Sequence, residues 1–532
     1  MTQYLLVYAI CLLATIQAHA EHAETVVQQN QITPKSATTA SAFLATGKQP
    51  FTLNLPELKI DLSPTTTGMH KTGVVYHLPT PIMASHLFWE RVNGGHVARI
   101  KLTSHQAKAL RYHLVFNQEV PSIKFRIQDS QGNAPLILLD HTFIHDNHIW
   151  LPAIEGNQAD LELFLDELTA LDSLFSIDAI NVIVADLSND PTLGIHAKKL
   201  GRAENPEKDL ACWSGDPNYS ALEKAASATA LISFIKSGLS YVCTGTLLND
   251  KNDTKIPWFT TANHCLTDQN TANTASFQWF YQAKTCNSNA NDDRFVTTNG
   301  GAQLLWSDSW YDGAFLKLNQ PPPNGATFMG WDTNIQINDE VWGVHHPKAD
   351  HTMVSRGRIT ALLQNISVSG TPFLVNTINF DEGGGEQGSS GSGLFAIQNG
   401  SAYWKGSASG ISLFNYQKAA YSDFNSYYPM IKQWLGEGDY QSTYQNISWV
   451  THSDTEYCLD ITDEKWVIYP GFQALQCGKN FGQFSPTNYV RDVMLTSLPN
   501  GFKFNWRVWS RNAQGKTTYG GAGYEGRLTV PE

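Results

Sequence analysis

The sequence predicts an all-β protein built from several domains, and three observations carry that expectation. Short runs of alternating apolar and polar residues recur from Phe51 to about Leu187, among them "HVARIKLTS", "ALRYHLVF", "IKFRIQD", "LELFLDEL" and "AINVIVADL". Alternation with period two marks half-buried strands, and in this number they predict a β-sandwich. Beyond Cys212 the chain becomes a series of short strand-like runs punctuated by Gly and Asn, with helical periodicity confined to "PMIKQWLGEG" near residues 429–438. The third observation is length: 532 residues exceed one ordinary core and call for two to four domains.

The elements follow in chain order. Residues 1–20, "MTQYLLVYAICLLATIQAHA", place an apolar run from Tyr4 to Ile16 ahead of Ala18-His19-Ala20. That is the pattern of a secretory signal peptide cut after Ala20, although its first residues lack Lys or Arg. Residues 21–50 are rich in Gln, Thr, Ala and Ser and are expected to be a mobile lead-in. A polar, charge-dense stretch, "HAKKLGRAENPEKDL", separates the β-sandwich region from Cys212, and "EGDYQSTYQ" near residue 440 marks a second boundary. The last ninety or so residues, with "FNWRVWSRN" and the glycine turn "YGGAGYEG", are expected to form a small all-β module.

Composition excludes several function classes. A net charge of −12 and a pI near 5.8 leave no basic face for nucleic acid. Past the N-terminus no run of eighteen apolar residues could span a membrane as a helix. Once Cys11 leaves with the signal peptide, six cysteines remain: Cys212, Cys243, Cys265, Cys286, Cys458 and Cys477. An even set in an exported chain implies disulfides, and all six fall in the C-terminal part. His141, His145 and His148 in "HTFIHDNHIW" raise a metal hypothesis, but their spacing fits no zinc pattern and no Cys or Glu ligand stands beside them. Neither a metal nor a cofactor is expected.

The stretch "GEQGSSGSGLF", Gly385 to Phe395, is either a flexible linker or a tight turn presenting a serine. A linker has no use for the apolar "GLFAI" that follows. A nucleophilic serine needs a base, because its hydroxyl is protonated at neutral pH, and the base needs an orienting carboxylate. Both occur upstream. His264 ends an apolar β-prone run in "PWFTTANHC" beside Cys265, which Cys243 can bridge from one strand back. Asp312 opens an apolar strand in "WYDGAFLKLN".

The order His264, Asp312, Ser390 is that of the chymotrypsin-type proteases, and "TANHC" resembles that family's T-A-A-H-C. The fuller resemblance is to secreted bacterial lysyl endopeptidases: "CTGTL", "FTTANHC", "VHHP" (Val344 to Pro347) and "GSSGSG" are similar to their C-T-G-[ST]-L, F-L-T-A-x-H-C, I-H-H-P and G-S-S-G-S stretches, and "MGWD" before "VHHP" fits too. It covers residues 212–437, extends loosely to "HIWLPAIEGNQADLELFL" in the N-terminal region, and omits the C-terminal module. The resemblance implies a double β-barrel of chymotrypsin type at 208–438, preceded by a β-sandwich-like propeptide at 21–207 and followed by an all-β accessory module at 441–532. It implies a secreted serine endopeptidase, made as a proenzyme and acting on protein or peptide substrates. His264 would be the general base, Asp312 its orienting partner and Ser390 the nucleophile, with the N–H groups of Gly388 and Ser390 as oxyanion hole. The implied bridges are Cys243–Cys265 and Cys212–Cys286, which leaves Cys458–Cys477 to staple the C-terminal module.

Two departures bear on function. The residue before the nucleophile is Ser389 and no I-V-G-G start occurs, so a trypsin-type charge pair is not expected on activation. Removal of the prodomain, acting as intramolecular inhibitor or chaperone, is the expected route, with Lys208–Asp209 the leading bond between Gly201 and Ala211. The position that holds trypsin's specificity acid is Gly384; the resemblance instead implies Asp423 in "YSDFNSYYPMIKQW", with Ser409 lining the pocket, and a preference for Lys or Arg. The competing expectation is an inactive protease-like adhesion protein working through a surface ligand of its C-terminal module.

Overall fold

The computed structural model describes residues 21–27, 49–185 and 208–436, with breaks at 64–67, 119–121, 129–136, 145–146, 369–370 and 413–414, and separate backbone strands between 445 and 529. The expected signal peptide, His145, and residues 201–207 of the expected processing segment lie outside the described residues.

The N-terminal domain consists of two sheets. One orders the strands Phe51–Asn54, Gly95–Thr103, Gln158–Leu165, Lys124–Gln128 and Ile137–Asp140; the other orders His148–Trp150, Ala109–Phe116, Phe175–Ile183 and His70–Met83. Alternation sends Ile100, Leu102, Phe125, Leu161, Leu163, Leu114 and Ile177 into one core between them. The sandwich is not self-contained. The outer edge of His70–Met83 pairs with Leu239–Leu248 of the next domain, His70 opposite Val242 and Val74 opposite Leu239. One sheet therefore runs from the N-terminal domain into a barrel, because an open edge is satisfied by a strand from the other domain.

Residues 208–436 form two closed antiparallel barrels, as the chymotrypsin-type resemblance implies. In the first, Thr229–Lys236, Leu239–Leu248, Trp258–Thr261, Gly313–Leu318 and Ala302–Asp308 pair in succession. Ser276–Trp279 pairs with Thr229–Lys236 and with Val296–Thr298, which bends through Gly300–Gly301 into Ala302–Asp308 and closes the ring. In the second, the order is Ser401–Ile411, Gly393–Gln398, Glu340–His345, Met353–Val368, Thr371–Glu382 and Lys418–Ser422, which pairs back onto Ser401–Ile411. Trp213, Trp331, Trp342 and Trp404 join a shared buried cluster with residues of both barrels.

Three local features differ from the sequence expectation. Tyr219–Ala228 is a helix, its Ala-rich face buried; the four consecutive small residues Ala225 to Ala228 hid its period. The C-terminal helix runs over Phe424–Ile431 rather than 429–438, because the Asp423 side chain caps it by accepting from Ser426 N. And residues 21–27 are not a mobile lead-in: His22–Ala23 pairs with Trp331–Asp332, Val26–Val27 pairs with Thr327–Phe328, and Ala23 is buried in the barrel core. Glu21 pairs with Lys251. A polar composition reads as disorder only when no partner edge is waiting.

The C-terminal strands form a three-stranded and a five-stranded sheet, and the register sets Cys458 opposite Cys477.

Candidate active site

His264 follows the Trp258–Thr261 strand, whose Thr261 pairs with Ala314, two residues past Asp312; that register brings the two side chains together. Asp312 is fully buried and has φ +48°, a conformation that costs a non-glycine residue about 1–3 kcal/mol unless its surroundings hold it. What holds it is a set of donors. Its Oδ1 accepts from His264 N at 2.9 Å and its Oδ2 from His264 Nδ1 at 2.8 Å, while Asn263 N donates to its carbonyl at 3.1 Å. A carboxylate can only accept, so Nδ1 carries the imidazole proton and Nε2 presents a lone pair. Behind His264, the Cys243–Cys265 disulfide spans 22 residues, worth about 3 kcal/mol by loop closure, and Lys236 Nζ donates to the His264 carbonyl at 2.8 Å.

Ser390 comes from the second barrel, on a turn entering the Gly393–Gln398 strand. The first barrel grips this turn: Thr244 N donates to the Ser390 carbonyl at 2.8 Å and Thr244 Oγ1 to the Gly388 carbonyl at 2.9 Å. Gly388 has φ +93°, and a Cβ there would stand 2.9 Å from the His346 carbonyl. Only glycine meets both constraints.

The N-terminal domain reaches this point. Gly388 N donates to the Gly68 carbonyl at 2.9 Å. Gly68 has φ +79°, and a methyl group on it would lie 2.6 Å from Ser390 Oγ and 3.6 Å from His264 Nε2. Ser390 and His264 thus converge on the spot that Gly68 fills, while His264 Nε2 has no hydrogen-bond partner among the described residues. Two residues on, His70 joins the strand on the Leu239–Leu248 edge. Burial pulls the His70 pKa down to about 4, with the Lys348 charge adding to the effect and Glu386 opposing it.

The structure therefore brings His264, Asp312, Gly388 and Ser390 together. Ser409 is buried one residue after Ala408, which exchanges hydrogen bonds with the turn through Gly391 N and Ser392 O. Asp423 ends the neighbouring Lys418–Ser422 strand and is buried rather than on the surface. Its Oδ1 accepts from Asn376 Nδ2 at 2.8 Å; its Oδ2 accepts from Ser426 N at 3.0 Å and Ser426 Oγ at 2.5 Å. All three partners are donors, and no salt bridge reaches Asp423 among the described residues. At Gly384 a Cβ would stand 2.2 Å from the Tyr416 ring, which leaves no room for an acid there.

The second implied bridge, Cys212–Cys286, is formed, tying the start of the double-barrel domain to the first barrel. Lys208–Asp209 is a two-residue strand against Met353–Val354 with Asp209 buried, so this bond is not in an open loop. His148 faces His113 at 3.4 Å, and His113 faces Asp178 at 2.6 Å, rather than joining His141. Among the described residues, the group close enough to hold a metal is Cys243, His264 and Cys265, whose two sulfurs are already bonded to each other. Sequence reasoning missed Gly68, Thr244 and Asn376, since each acts through a backbone or side-chain contact to a distant segment and carries no motif of its own.

Comparison with known proteins agrees with this architecture. A family model described as "Lysyl endopeptidase, C-terminal domain" matches residues 200–424, and one described as "Lysyl endopeptidase N-terminal domain" matches residues 73–175. The lysyl endopeptidase of Pseudomonas aeruginosa is 28% identical over 355 residues, 63% of this chain and 73% of that protein. The secreted RxLR effector protein 73 of Plasmopara viticola is 24% identical over 205 residues, 37% of this chain and 48% of that one. Among solved structures, the active form of the Rv3671c protease of M. tuberculosis is similar with TM-score 0.30 and 16% identity, covering 43% of this chain and 88% of its own. The protease Anisep of Arthrobacter nicotinovorans is similar with TM-score 0.28 and 18% identity, covering 37% and 90%. With both domains of one family matched in order and together spanning more than half of the chain, the protein belongs to the lysyl endopeptidase family.

Proposed function

We propose that this serine endopeptidase works through a His264–Asp312–Ser390 triad and an acyl-enzyme, and is made as a secreted proenzyme. The observation that carries the proposal is the convergence of Ser390 Oγ, His264 Nε2 and Gly388 N on Gly68. Ser390 Oγ attacks the substrate carbonyl carbon as its proton passes to His264 Nε2. The oxyanion forms against Gly388 N–H, with Ser390 N–H as the second donor. The imidazolium, steadied by the buried Asp312 carboxylate, gives its proton to the departing amine and leaves the acyl-Ser390 ester. Water then attacks the ester with His264 again as base, and the proton returns to Ser390 Oγ as the acid product leaves.

Substrate choice rests on Asp423. Three donors occupy part of its acceptor capacity, and its negative charge has no cationic partner among the described residues. A Lys or Arg side chain entering from the Ser409 side would supply one. The prodomain, residues 21–207, is an intramolecular inhibitor: it lies across the site as an added strand, with a carbonyl on an oxyanion donor. The signal peptide and the disulfides favour an oxidising exterior. The C-terminal module, 441–532, would take a surface ligand.

The test is Ser390→Ala. It should abolish hydrolysis of Lys-peptide amides while the full-length proform is still exported; near-normal turnover by this variant would remove Ser390 from the chemistry. Cleavage-site mapping on a mixed peptide library should place cuts after Lys and Arg.

A further inference from the structure

We propose that His345 is a positioning residue for peptide hydrolysis: a permanently neutral imidazole that locks the Ser390 turn in its working shape where relatives with trypsin's device use a charge pair. The proposal rests on the catalytic reading of Ser390 given above. Ser389, the residue before the nucleophile, is buried and uncharged, so no ammonium can hold it by charge. Instead its Oγ meets His345 Nδ1 at 2.8 Å, and the other nitrogen, Nε2, meets Ser355 Oγ at 3.1 Å. Ser355 in turn bonds both backbone atoms of Gly384: its Oγ donates to the Gly384 carbonyl at 2.7 Å and accepts from Gly384 N at 2.9 Å.

Counting protons fixes the tautomer. Ser355 has one hydroxyl hydrogen, and the Gly384 carbonyl, which can only accept, takes it. His345 Nε2 must then bring the hydrogen to Ser355, which leaves Nδ1 as an acceptor for the Ser389 hydroxyl. Ser389 Oγ accepts from Glu386 N at 3.3 Å, so each hydrogen in the chain has one acceptor. Burial agrees, drawing the His345 pKa down to about 3 with the neighbouring His346 adding to it. A single ring thus braces the loop at Gly384, at Glu386 and at Ser389, on both sides of the oxyanion donor Gly388.

The ring itself cannot drift. His345 ends the Glu340–His345 strand, paired on one side with Met353 and, through Val344, with Gly393 just beyond the nucleophile. The Ser390 turn holds left-handed glycines at 383, 388 and 391, a backbone with many alternative conformations, and needs such bracing. The bracing is complete with the N-terminal domain still in place, so the turn is assembled before maturation. Latency then comes from occupation of the site and not from a collapsed oxyanion hole.

Two measurements test this. In the mature enzyme, His345→Leu should lower kcat on a Lys-peptide amide about 10- to 1000-fold with KM changed less than threefold, the loss expected when an oxyanion donor is misplaced. His345→Asn, whose carboxamide can still accept from Ser389, should recover at least tenfold of that loss. Equal kcat in His345→Leu and wild type, or equal losses in the two variants at matched thermal stability, would overturn the proposal. The second measurement needs no activity: 15N shifts of the imidazoles in the Ser390→Ala proform should show a neutral Nε2–H His345 from pH 5 to 8. An imidazolium or an Nδ1–H tautomer there would overturn the proposal even if Ser390 proves to be the nucleophile, whereas an inactive wild type with the expected tautomer would count against the catalytic reading alone.

Discussion

The two barrels hold their halves of the site by different chemistry. In the first, His264 is fixed by a charge and a covalent bond: the buried Asp312 carboxylate takes both its backbone N–H and its ring Nδ1–H, and the adjacent Cys265 is in a disulfide. In the second, the nucleophile end of the Ser390 turn is held by neutral hydrogen bonds with His345, Ser355 and Thr244, and the charged contact, Lys348 with Glu386, lies upstream of it. The difference follows the proposed reaction. In that reading the imidazole becomes a cation midway, so a fixed negative charge beside it would lower the barrier. The turn must keep backbone donors aimed at a developing anion, and a buried charge there would compete with the substrate for them.

Breaking the charged half should give the largest loss. Asp312→Asn keeps the shape but lets the amide donate, which favours the wrong tautomer of His264; kcat should fall about 10⁴-fold with KM little changed. A loss under tenfold in steady-state kinetics would mean that the charge is dispensable and the two halves are alike.

Asp423 is the one buried carboxylate proposed for the second half, and it should act on the substrate rather than on the framework. Asparagine is as good a helix cap as aspartate, so Asp423→Asn should cost only about 1 kcal/mol of stability, from one reversed hydrogen bond. On Lys substrates kcat/KM should fall about 10²- to 10³-fold, and on a substrate with a neutral P1 residue hardly at all. Equal losses on both would make Asp423 a structural cap.

The N-terminal domain, proposed above as inhibitor, meets both halves at Gly68. A side chain there is disfavoured by φ +79° and would collide with Ser390 Oγ. Gly68→Ala should therefore shorten the half-time of prodomain loss about tenfold or more, read by gel or mass spectrometry. An unchanged half-time would show that the rest of the strand suffices.

The smallest effect is that of pH. His70 has a pKa of about 4 while buried against the barrel, below its ordinary 6.5, so its bound form favours the neutral ring. That contribution to prodomain binding is complete above pH 6.5 and drains away as pH falls toward 4. Between pH 7 and 5 dissociation should become about tenfold easier from this group, with Lys348 and Glu386 the charges facing it. His70→Gln should remove that part of the pH dependence; an identical profile in the variant would assign it elsewhere.

Much of this was legible in the residues. The candidates His264, Asp312 and Ser390 stood out because each sits in a short local motif, and acyl transfer calls for a base, an orienting carboxylate and a nucleophile; their order was read from the resemblance to chymotrypsin-type proteases. The alternating runs foretold strands, because alternation is a property of a strand alone. Local sequence did mislead where a partner intervened. Residues 21–27 look solvated until the edge at Thr327–Asp332 takes them up. Asp423 looks like a pocket acid in a motif, yet it also caps a helix.

What the sequence by itself determined is the chemistry available: side chains that can serve as base, carboxylate and nucleophile, and a glycine turn, each recognisable because its proposed role depends on its own functional group. What only the tertiary structure decided is who meets whom. Gly68 against Ser390 spans 322 residues of chain and His345 against Ser389 spans 44, and neither pairing is written in spacing. Such contacts come from barrel closure and strand addition, where the backbone of one segment satisfies another. Backbone hydrogen bonding carries almost no residue signature, so the strand added from the N-terminal domain and the His345 brace appear only once the chain is folded.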